Sequence, residues 1–387
     1  MNKYLWKCVM NPENWNNPIV DLIYPTERPS VDEFRKANIH VVILNWNLSE
    51  DTWSCVEHLQ RNESINFYVH LLDNGSEKHH LDYLKDKVSK QSNNSNICLY
   101  SSSLNSGFAV GNNKILNDLI LELNEDQLVL LLNNDAFVKE DFLKELVSQV
   151  NFDKNVEMIA SRMMSFHEPN EIDNLGNTFY CSGITSNRVS EKALLFCPCA
   201  GAGLYSVRLL KDLKEVHGEI FDEDFFCYVE DSDLGFRALG LGYKCGYADK
   251  AISYHKGSAS SGGKFSSFVM YFGLRNSVFF LIKSIPLKIL ILNSPYILFM
   301  QLMIPLRYLS IGKLGIILKI YWHIFLKLNY FIKKRKSVVS TYRNIHLKKN
   351  ISKQFYDSNY IYGVLKKMWW CPGFIANIFF KKQECDL

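Results

Sequence analysis

The sequence predicts an α/β fold in which helices cover a mostly parallel β-sheet, followed by a helical region at the C-terminal end. Short apolar segments rich in β-branched residues recur along the first 140 residues, and segments with helical periodicity lie between them. Strands that alternate with helices in this way are typical of βαβ units, whose strands run parallel. An abrupt change of charge after Asn276 separates the helical region from the rest of the chain.

The regular pattern of strands and helices begins at His40. The predicted strands span residues 40–46, 67–72, 97–100 and 127–132, and the predicted helices span 49–61, 77–90 and 107–124. Three of the strands stop at Asn, Asp, Gly or Ser, the residues that favour turns. Residues 1–38 are mixed in composition and rich in Pro and Asn, and we interpret them as an extension over the surface.

Composition excludes several classes of protein. With 47% hydrophobic and 13% aromatic residues, the chain can bury a large core, so it is not wholly disordered. Gly accounts for 20 and Cys for 10 of the 387 residues, which excludes collagen-like chains and disulfide scaffolds. The cysteines form no CxxC pair, and no apolar signal segment follows Met1. We therefore expect reduced thiols and a cytoplasmic protein.

The net charge of +4 hides two oppositely charged parts. Residues 277–387 carry 18 Lys and Arg against 3 Asp and Glu, a balance of +15, and residues 1–276 carry a balance of −11. Residues 289–306 are uncharged, and Lys and Arg fill positions 333–336. This pattern predicts helices that lie in the interface of a membrane with anionic lipids. Packing on the body of the protein and a membrane span remain alternatives. Nucleic-acid binding is not expected, because no reader motif accompanies the charge.

Polar residues follow three of the predicted strands. Because ligands of parallel sheets bind beyond the carboxyl ends of the strands, these residues are candidates for a binding site. They are Asn45 and Asn47 after the first strand, Asp73, Asn74 and Ser76 after the second, and Asn133, Asn134 and Asp135 after the fourth. The sequence contains neither GxGxxG nor GxxxxGK[ST], so dinucleotide-binding and P-loop sites are not predicted.

An acidic segment at residues 221–237 is the next candidate. Carboxylates this dense repel one another unless a metal or a basic partner balances them, and aromatic neighbours raise a carboxyl pKa and favour a base. Its acids are Asp222, Glu223, Asp224, Glu230, Asp231 and Asp233. His255 follows a strand-like segment and precedes a loop rich in Ser and Gly, which makes it a candidate ligand.

Eight segments, in order, carry a resemblance to a known family. They are ILNWN (43–47), DNGS (73–76), NSGFAVGNN (105–113), LLNNDAFV (131–138), GAGLYSVR (201–208), FDEDFFCYVEDSDLGFRALGLGY (221–243), YHKGSAS (254–260) and YFGLRN (271–276). Residues 39–276 resemble the family 2 inverting glycosyltransferases, and most of all the bacterial rhamnosyltransferase-like branch that builds O-antigen and other surface polysaccharides. The resemblance implies a GT-A fold, an αβα sandwich, for a catalytic domain at 39–276, after the extension at 1–38 and before the helical region at 277–387.

The resemblance also implies roles for residues. Asp231, from the pair Glu230-Asp231, is expected to be the general base. Asp135 and His255 are expected to bind Mg²⁺ or Mn²⁺, although Asn133 stands where the family's DxD-type motif has its first acid. The expected donor-binding residues are Asn45, Asn47, Asp73, Asn74, Ser76, Asn105, Gly107, Asn112, Asn133, Asn134 and Arg275, with Gly107 allowing close approach of the backbone to the nucleotide.

The implied reaction is transfer of L-rhamnose from dTDP-L-rhamnose onto a glycan acceptor, with inversion. A polyprenyl-diphosphate-linked acceptor would place the protein at the cytoplasmic face of the inner membrane, as a peripheral protein. A UDP-hexose, UDP-N-acetylhexosamine or GDP-mannose donor remains an alternative. So does a catalytically silent scaffold of polysaccharide assembly, which the presence of Asp73, Asp135 and Asp231 disfavours.

Overall fold

The computed structural model describes residues 18–91, 96–257, 266–310, 312–344 and 346–357. The strands are β1 (Val20–Tyr24), β2 (Ile39–Asn45), β3 (Phe67–Asp73), β4 (Ile97–Ser102), β5 (Leu128–Asn133), β6 (Ala136–Val138), β7 (Val156–Ser165), β8 (Ile172–Asn174), β9 (Asn177–Phe179), β10 (Thr185–Asn187), β11 (Ala202–Ser206) and β12 (Lys244–His255). The helices are α1 (Val31–Arg35), α2 (Ser49–Leu59), α3 (Lys78–Ser89), α4 (Gly107–Glu122), α5 (Phe142–Val147), α6 (Val207–His217), α7 (Glu230–Leu241), α8 (Ser267–Ser284), α9 (Leu287–Ser310) and α10 (Leu314–Ser340).

One large sheet organises the described residues, with its strands in the order β1-β4-β3-β2-β5-β11-β7-β12-β6 and β8 beside β7. Strands β4, β3, β2 and β5 are parallel neighbours, and β7 is parallel to β12. Antiparallel β11 joins these two parallel parts. The α/β prediction is confirmed, and the predicted strands and helices between residues 40 and 132 end within two residues of the observed ones.

The central strands are apolar along their whole length because both faces of the sheet are covered. In β2, Val41 and Ile43 face one core with α2 and α5, whereas Val42 faces a second core with α4 and α7. A strand buried on both faces has no polar alternation, which is why the sequence shows a continuous apolar run there.

The N-terminal extension is more integrated than its composition suggests. Val20–Tyr24 forms an edge strand antiparallel to β4, and the side chain of Phe34 in α1 is fully buried. Gln127 donates hydrogen bonds to the carbonyl oxygens of Phe34 and Ala37 at 3.0 and 2.7 Å. Residues 20–37 thus pair with the sheet through β1 and anchor on the body of the protein through Phe34 and Ala37, while most of their other side chains stay exposed or partly exposed, and residues 1–17 lie outside the described part.

The charge boundary after Asn276 is not a structural boundary. It falls inside α8, and the fully buried Lys283 of that helix donates to Asp222, Asp233 and Glu219 at 2.7, 3.0 and 2.9 Å. Lys334 of α10 contacts the same cluster through Asp222 at 2.7 Å. The acidic segment is thus balanced by basic residues, one of the two possibilities that its sequence left open.

The cluster of basic residues at 333–336 is also divided. Lys334 is held by the acidic segment, and Arg335 donates to the carbonyl oxygen of Ile282 at 2.8 Å. Lys333 and Lys336 are exposed. Only part of the basic cluster therefore remains on the surface.

Helix α9 is the long apolar helix expected from residues 289–306. Among the described residues, it is the one helix long and apolar enough to cross a membrane, with a mean hydropathy of 1.7 over Leu287–Leu309. Pro295 and Pro305 lie inside it without ending it. The predicted C-terminal helical region is confirmed for α8, α9 and α10, and residues 358–387 lie outside the described part.

We expect replacement of Lys283 by Met to lower the free energy of unfolding by about 3–5 kcal/mol, because the change leaves buried carboxylates without their cation. The midpoint of urea unfolding measures this effect. Lys288→Met, at an exposed lysine five residues later, is the matched control and should change stability by less than about 0.5 kcal/mol. Equal midpoints for the two variants would contradict the proposed importance of the buried ion pairs.

Candidate active site

The ends of β2 and β3 bring the first predicted site residues together. Asn45 lies in register with Asp73, and its amide donates to Asp73 Oδ1 at 2.7 Å and to Ser76 Oγ at 3.1 Å. Ser76 Oγ also accepts from the backbone N–H of Asn47 at 3.0 Å. The backbone N–H of Ser76 donates to Asp73 Oδ2 at 3.2 Å, which fixes the orientation of this carboxylate.

Asn74 and Asn105 face the start of α4. The amide of Asn74 donates to the carbonyl oxygen of Gly107 at 3.0 Å, and Asn105 Oδ1 accepts from the backbone N–H of Gly107 at 2.9 Å. These bonds hold the loop before α4 against the end of β3. Both residues therefore border the predicted site while supporting its backbone.

Gly107 and Asn112 make close contacts within the protein. Gly107 has a φ of +77°, and a Cβ there would lie 2.5 Å from the ring of Phe226. The carbonyl oxygen of Phe226 also accepts from Phe108 N at 2.7 Å, at the start of α4. Asn112 is buried and bonds to its own helix at the carbonyl oxygen of Phe108. The close approach that requires glycine within the protein is thus to Phe226, and nucleotide contact by Gly107 and Asn112 stays a prediction.

His255 lies between two carboxylates at the end of β12. Its Nε2 is 3.2 Å from Asp135 Oδ1, and its Nδ1 is 2.8 Å from Asp173 Oδ2. Burial lowers the pKa of His255, but the bonds to Asp135 and Asp173 outweigh burial and raise the pKa to about 10. Burial likewise opposes ionisation of Asp135, yet the bond to His255 holds the pKa of Asp135 below its usual value.

The neighbouring asparagines divide between two partners. The amide of Asn133 lies 3.2 Å from His255 Nε2, whereas Asn134 donates to Thr52 Oγ1 at 2.9 Å. Thr52 in turn donates to Asn45 Oδ1 at 2.8 Å, so it connects the exits of β2 and β5. The predicted set Asn133, Asn134 and Asp135 is therefore close to His255, with Asn134 turned towards α2.

Asp135 and His255 fit two ligands of one divalent cation. Ligands about 2.1 Å from a metal on adjacent octahedral positions are about 3.0 Å apart, close to the 3.2 Å between Asp135 Oδ1 and His255 Nε2. Asp173 supplies the outer carboxylate that usually orients a histidine ligand. Within the described residues, no group of three or more His, Cys, Asp or Glu side chains is arranged around one metal position. The remaining ligands would have to come from substrate oxygens and water, as is usual for Mg²⁺.

A strained turn precedes Glu230 and Asp231, the predicted catalytic pair. Phe226, Tyr228 and Val229 have φ values of 64°, 69° and 73°, in a region that a β-branched residue such as Val strongly disfavours. The amide of Asn276 holds this turn by donating, at 2.8 Å each, to the carbonyl oxygens of Phe225, Cys227 and Tyr228. The turn sets the direction in which α7 starts, and α7 begins with Glu230 and Asp231.

Arg275 supports the same turn. Its guanidinium is buried and donates to the carbonyl oxygens of Asp224 and Phe225 at 2.8 and 3.2 Å. It also lies 4.7 Å from the centre of the ring of Phe272. Its Nη2 thus serves the backbone of the turn and its Nε the side chain of Asn276, and contact of Arg275 with the diphosphate stays a prediction.

Asp231 is half-buried and surrounded by donors. Its carboxylate accepts from Asn177 Nδ2 at 2.9 Å, from Ala200 N at 3.4 Å and from Ser232 N at 2.6 Å. Burial raises the pKa of Asp231 above the usual value, and the bond from Asn177 works against that rise. A carboxylate held in this way is a stronger base than an exposed Asp, while its geometry stays fixed.

Glu230 differs sharply from its neighbour. Its side chain is buried, Oε2 has no hydrogen-bond partner in the described structure, and burial together with Asp231 raises its pKa well above the usual value. Burial and the neighbouring Asp231 therefore favour the neutral form of Glu230. Of the predicted catalytic pair, Asp231 alone is suited to accept a proton.

Two short segments link Asp135 and His255, called here the metal side, with Asp231, called here the base side. Asn133 N donates to the carbonyl oxygen of Gly201 at 2.8 Å, one residue from Ala200, whose N–H bonds to Asp231. Asp173, which orients His255, and Asn177, which orients Asp231, are four residues apart along β8 and β9. Sequence reasoning missed Asp173, Asn177 and Thr52 because none of them follows an apolar strand in the pattern that marked the other sites.

Residues 40–214 match the family model described as Glycosyl transferase family 2. A search of curated proteins finds no match.

Among solved structures, the chain is similar to the mannosyltransferase PcManGT from Pyrobaculum calidifontis in complex with GDP-Man and Mn²⁺, with 13% identity, a TM-score of 0.47 and coverage of 87% of this chain and 92% of that one. It is also similar to S. aureus TarS 1-349, with 16% identity, a TM-score of 0.44 and coverage of 64% of this chain and 66% of that one. In the longer S. aureus TarS structure, the chain spans 39% of its length.

The family match covers the sheet exits, Asp135, Asp173 and Asn177, and it ends before α7. Residues 40–214 are thus similar to the glycosyltransferase family 2 domain over the part of the chain that holds these exits.

Proposed function

We propose that the protein transfers a sugar from a nucleotide-sugar donor to a hydroxyl group of a glycan acceptor, with inversion at the anomeric carbon. The observation that carries this proposal is the environment of Asp231, a half-buried carboxylate fixed by three donors at the start of α7. Its link through residues 200 and 201 to the end of β5 supports a base that faces the same site as Asp135 and His255.

The nucleotide is proposed to bind at the ends of β2 and β3. Each oxygen of Asp73 already accepts one hydrogen bond, from Asn45 or Ser76, and keeps a further lone pair for an N–H group of the base. The asparagine side chains around it offer neutral polar contacts without adding charge. This arrangement supports a pyrimidine nucleotide, which includes dTDP and UDP donors.

The diphosphate is proposed to lie at the ends of β5 and β12. A divalent cation, when bound, would act as a Lewis acid that neutralises the charge of the leaving nucleoside diphosphate. Asp135 would contribute one carboxylate and His255 its Nε2, which Asp173 orients from the other side of the ring. In the metal-free protein, His255 is positively charged at pH 7, since its pKa is about 10.

The chemical step needs a base on the acceptor side. Asp231 accepts the proton of the acceptor hydroxyl as its oxygen attacks the anomeric carbon, opposite the bond to the leaving diphosphate. Asn177, Ala200 and Ser232 hold the carboxylate through this step. Displacement from the opposite face inverts the configuration in a single step and needs no covalent intermediate.

The donor sugar is proposed to be L-rhamnose, carried by dTDP, on the strength of the sequence motifs that resemble the rhamnosyltransferase branch. The alternatives are a UDP-hexose or UDP-N-acetylhexosamine donor, which share a pyrimidine base, and a GDP-mannose donor, which carries a purine base instead. The acceptor is proposed to be a lipid-linked glycan of cell-surface polysaccharide synthesis. Binding of each nucleotide sugar, measured with and without Mg²⁺ or Mn²⁺, separates these donors.

We expect Asp231→Asn to reduce turnover on the order of 10²–10⁴-fold, because the amide cannot accept the proton. Donor hydrolysis and sugar transfer measure the loss, and calorimetric binding of dTDP should stay unchanged. Glu230→Gln should cost far less, since burial already favours the neutral form of Glu230. Equal activity losses in the two variants would contradict the assignment of Asp231 as the base.

We expect Asp135→Asn to weaken Mn²⁺ binding in the presence of dTDP by at least tenfold, because the carboxylate ligand is lost. Asp141→Asn, at an exposed carboxylate beyond β6, is the control and should bind normally. Mn²⁺ binding to the unmodified protein at pH 8 should also release a proton from His255, whose pKa is about 10. Unchanged Mn²⁺ affinity in Asp135→Asn would exclude the proposed metal position.

We expect Asn177→Ala to move the acidic limb of the rate profile to higher pH by about one unit. The base must be ionised, so the rate falls as pH falls through the pKa of Asp231, and removal of the Asn177 donor raises that pKa further. Asn124→Ala, at an exposed position before β5, should leave the profile in place. A uniform loss of rate at every pH, with no shift, would reduce Asn177 to a structural role.

A further inference from the structure

The outer faces of α9 and α10 form an apolar surface that the catalytic site does not use. Of the 23 large apolar side chains exposed in the described residues, 17 lie between Leu287 and Ile332. Monomeric soluble proteins rarely expose so much contiguous apolar surface without a binding partner. We infer that this surface, called here the outer apolar surface, docks in the plane of a bilayer that contains anionic lipids.

Helix α9 is apolar on two opposite faces. Its inner face packs against the core of the protein through the buried Ile289 and the partly buried Ile297 and Ile304. Its outer face presents Leu298 and Leu302, which are 68% and 60% exposed. An ordinary surface helix would be polar on that outer face.

The inner contacts determine how α9 meets the lipid. They extend from Ile289 to Tyr308, along most of a helix that is about 36 Å long. To cross a bilayer, α9 would have to leave these contacts and expose the core beneath it. It therefore lies along the body of the protein and inserts only its outer face, as interfacial helices do.

Helix α10 extends the outer apolar surface, and its exposed side chains change from aromatic to basic along its length. Leu318, Trp322 and Phe325 are exposed on its first half, and the rings of Trp322 and Phe325 stack at 5.9 Å. Its second half presents the exposed Lys333 and Lys336 on the same side of the helix. Aromatic residues followed by lysines match the order of acyl chains and headgroups across a membrane interface.

The charge of this region selects the partner. Residues 287–340 contain nine Lys and Arg and no Asp or Glu. Lys327 and Lys334 bind the acidic segment of the body, whereas Lys288, Lys333 and Lys336 are exposed. Each exposed lysine near an anionic bilayer adds electrostatic attraction to the headgroups.

Two other occupants are disfavoured by the same charge. A second copy would bring an equally basic surface into contact, which repels. The second candidate occupant is residues 358–387, because the chain before them is near α9, with the rings of Phe355 and Phe299 5.6 Å apart. Residues 358–387 carry four Lys against two acids, so they are basic as well. The outer apolar surface and its lysines need a partner that offers apolar groups and negative charge. An anionic bilayer provides apolar acyl chains and negatively charged headgroups. This inference stands independently of the proposed sugar transfer.

Vesicle flotation of the full-length protein tests the inference. We expect binding to vesicles of phosphatidylcholine and phosphatidylglycerol, and at least tenfold weaker binding to phosphatidylcholine alone. The double variant Leu298→Glu, Leu302→Glu should lose binding to both at least tenfold. Leu121→Glu, at a leucine 81% exposed on α4, is the matched control and should bind as the unmodified protein does.

Two further measurements keep the outcome clear. Unchanged urea midpoints and dTDP binding in the double variant show that the fold and the donor site are intact. A second variant, Lys333→Gln with Lys336→Gln, should weaken binding to the anionic vesicles alone. A full-length protein that floats with neither vesicle overturns the inference. A dimer in analytical ultracentrifugation that the double variant abolishes also overturns it. Resistance of the bound protein to extraction by alkaline carbonate would indicate a membrane span and overturn it as well.

Discussion

The burial of Lys283 is the interaction on which the arrangement of the site depends. Its ammonium contacts Asp222, Asp233 and Glu219 in the interior, where none of these charges is stable alone. The acidic segment can therefore fold only when α8 is in place. The same helix carries Asn276, which holds the strained turn before α7. Docking of α8 thus fixes both the charge balance and the direction in which Asp231 points.

One segment of the chain positions both the metal side and the base side of the site. The short segment of β8 and β9 orients His255 through Asp173 and Asp231 through Asn177. Residues 200 and 201 connect the same two sides through backbone hydrogen bonds. Because one segment positions both groups, a shift in it would displace the metal side and the base side together. This shared support explains why many hydrogen bonds of the site join protein groups to one another.

The sequence predicted the sheet and its polar exits because both depend on local pattern. An apolar strand followed by a turn is visible in the residues, and parallel pairing then places Asn45 beside Asp73. Gly107 shows the limit of such reasoning, since the glycine is required, but by the ring of Phe226 from a distant segment. Charge summed along the chain likewise could not reveal that Lys283 and Lys334 lie inside the acidic segment. Asp173 and Asn177 follow no periodic pattern, and only the tertiary fold brings them to the site.

The central claim is that Asp135 with His255 and Asp231 face one donor site from opposite sides. A crystal structure with Mn²⁺ and dTDP, with anomalous data for manganese, tests it most directly. We predict a manganese peak about 2.1 Å from Asp135 Oδ1 and His255 Nε2, with the diphosphate on the metal and the base of dTDP at Asp73. A peak elsewhere, or a nucleotide bound away from the ends of β2 and β3, would contradict the account.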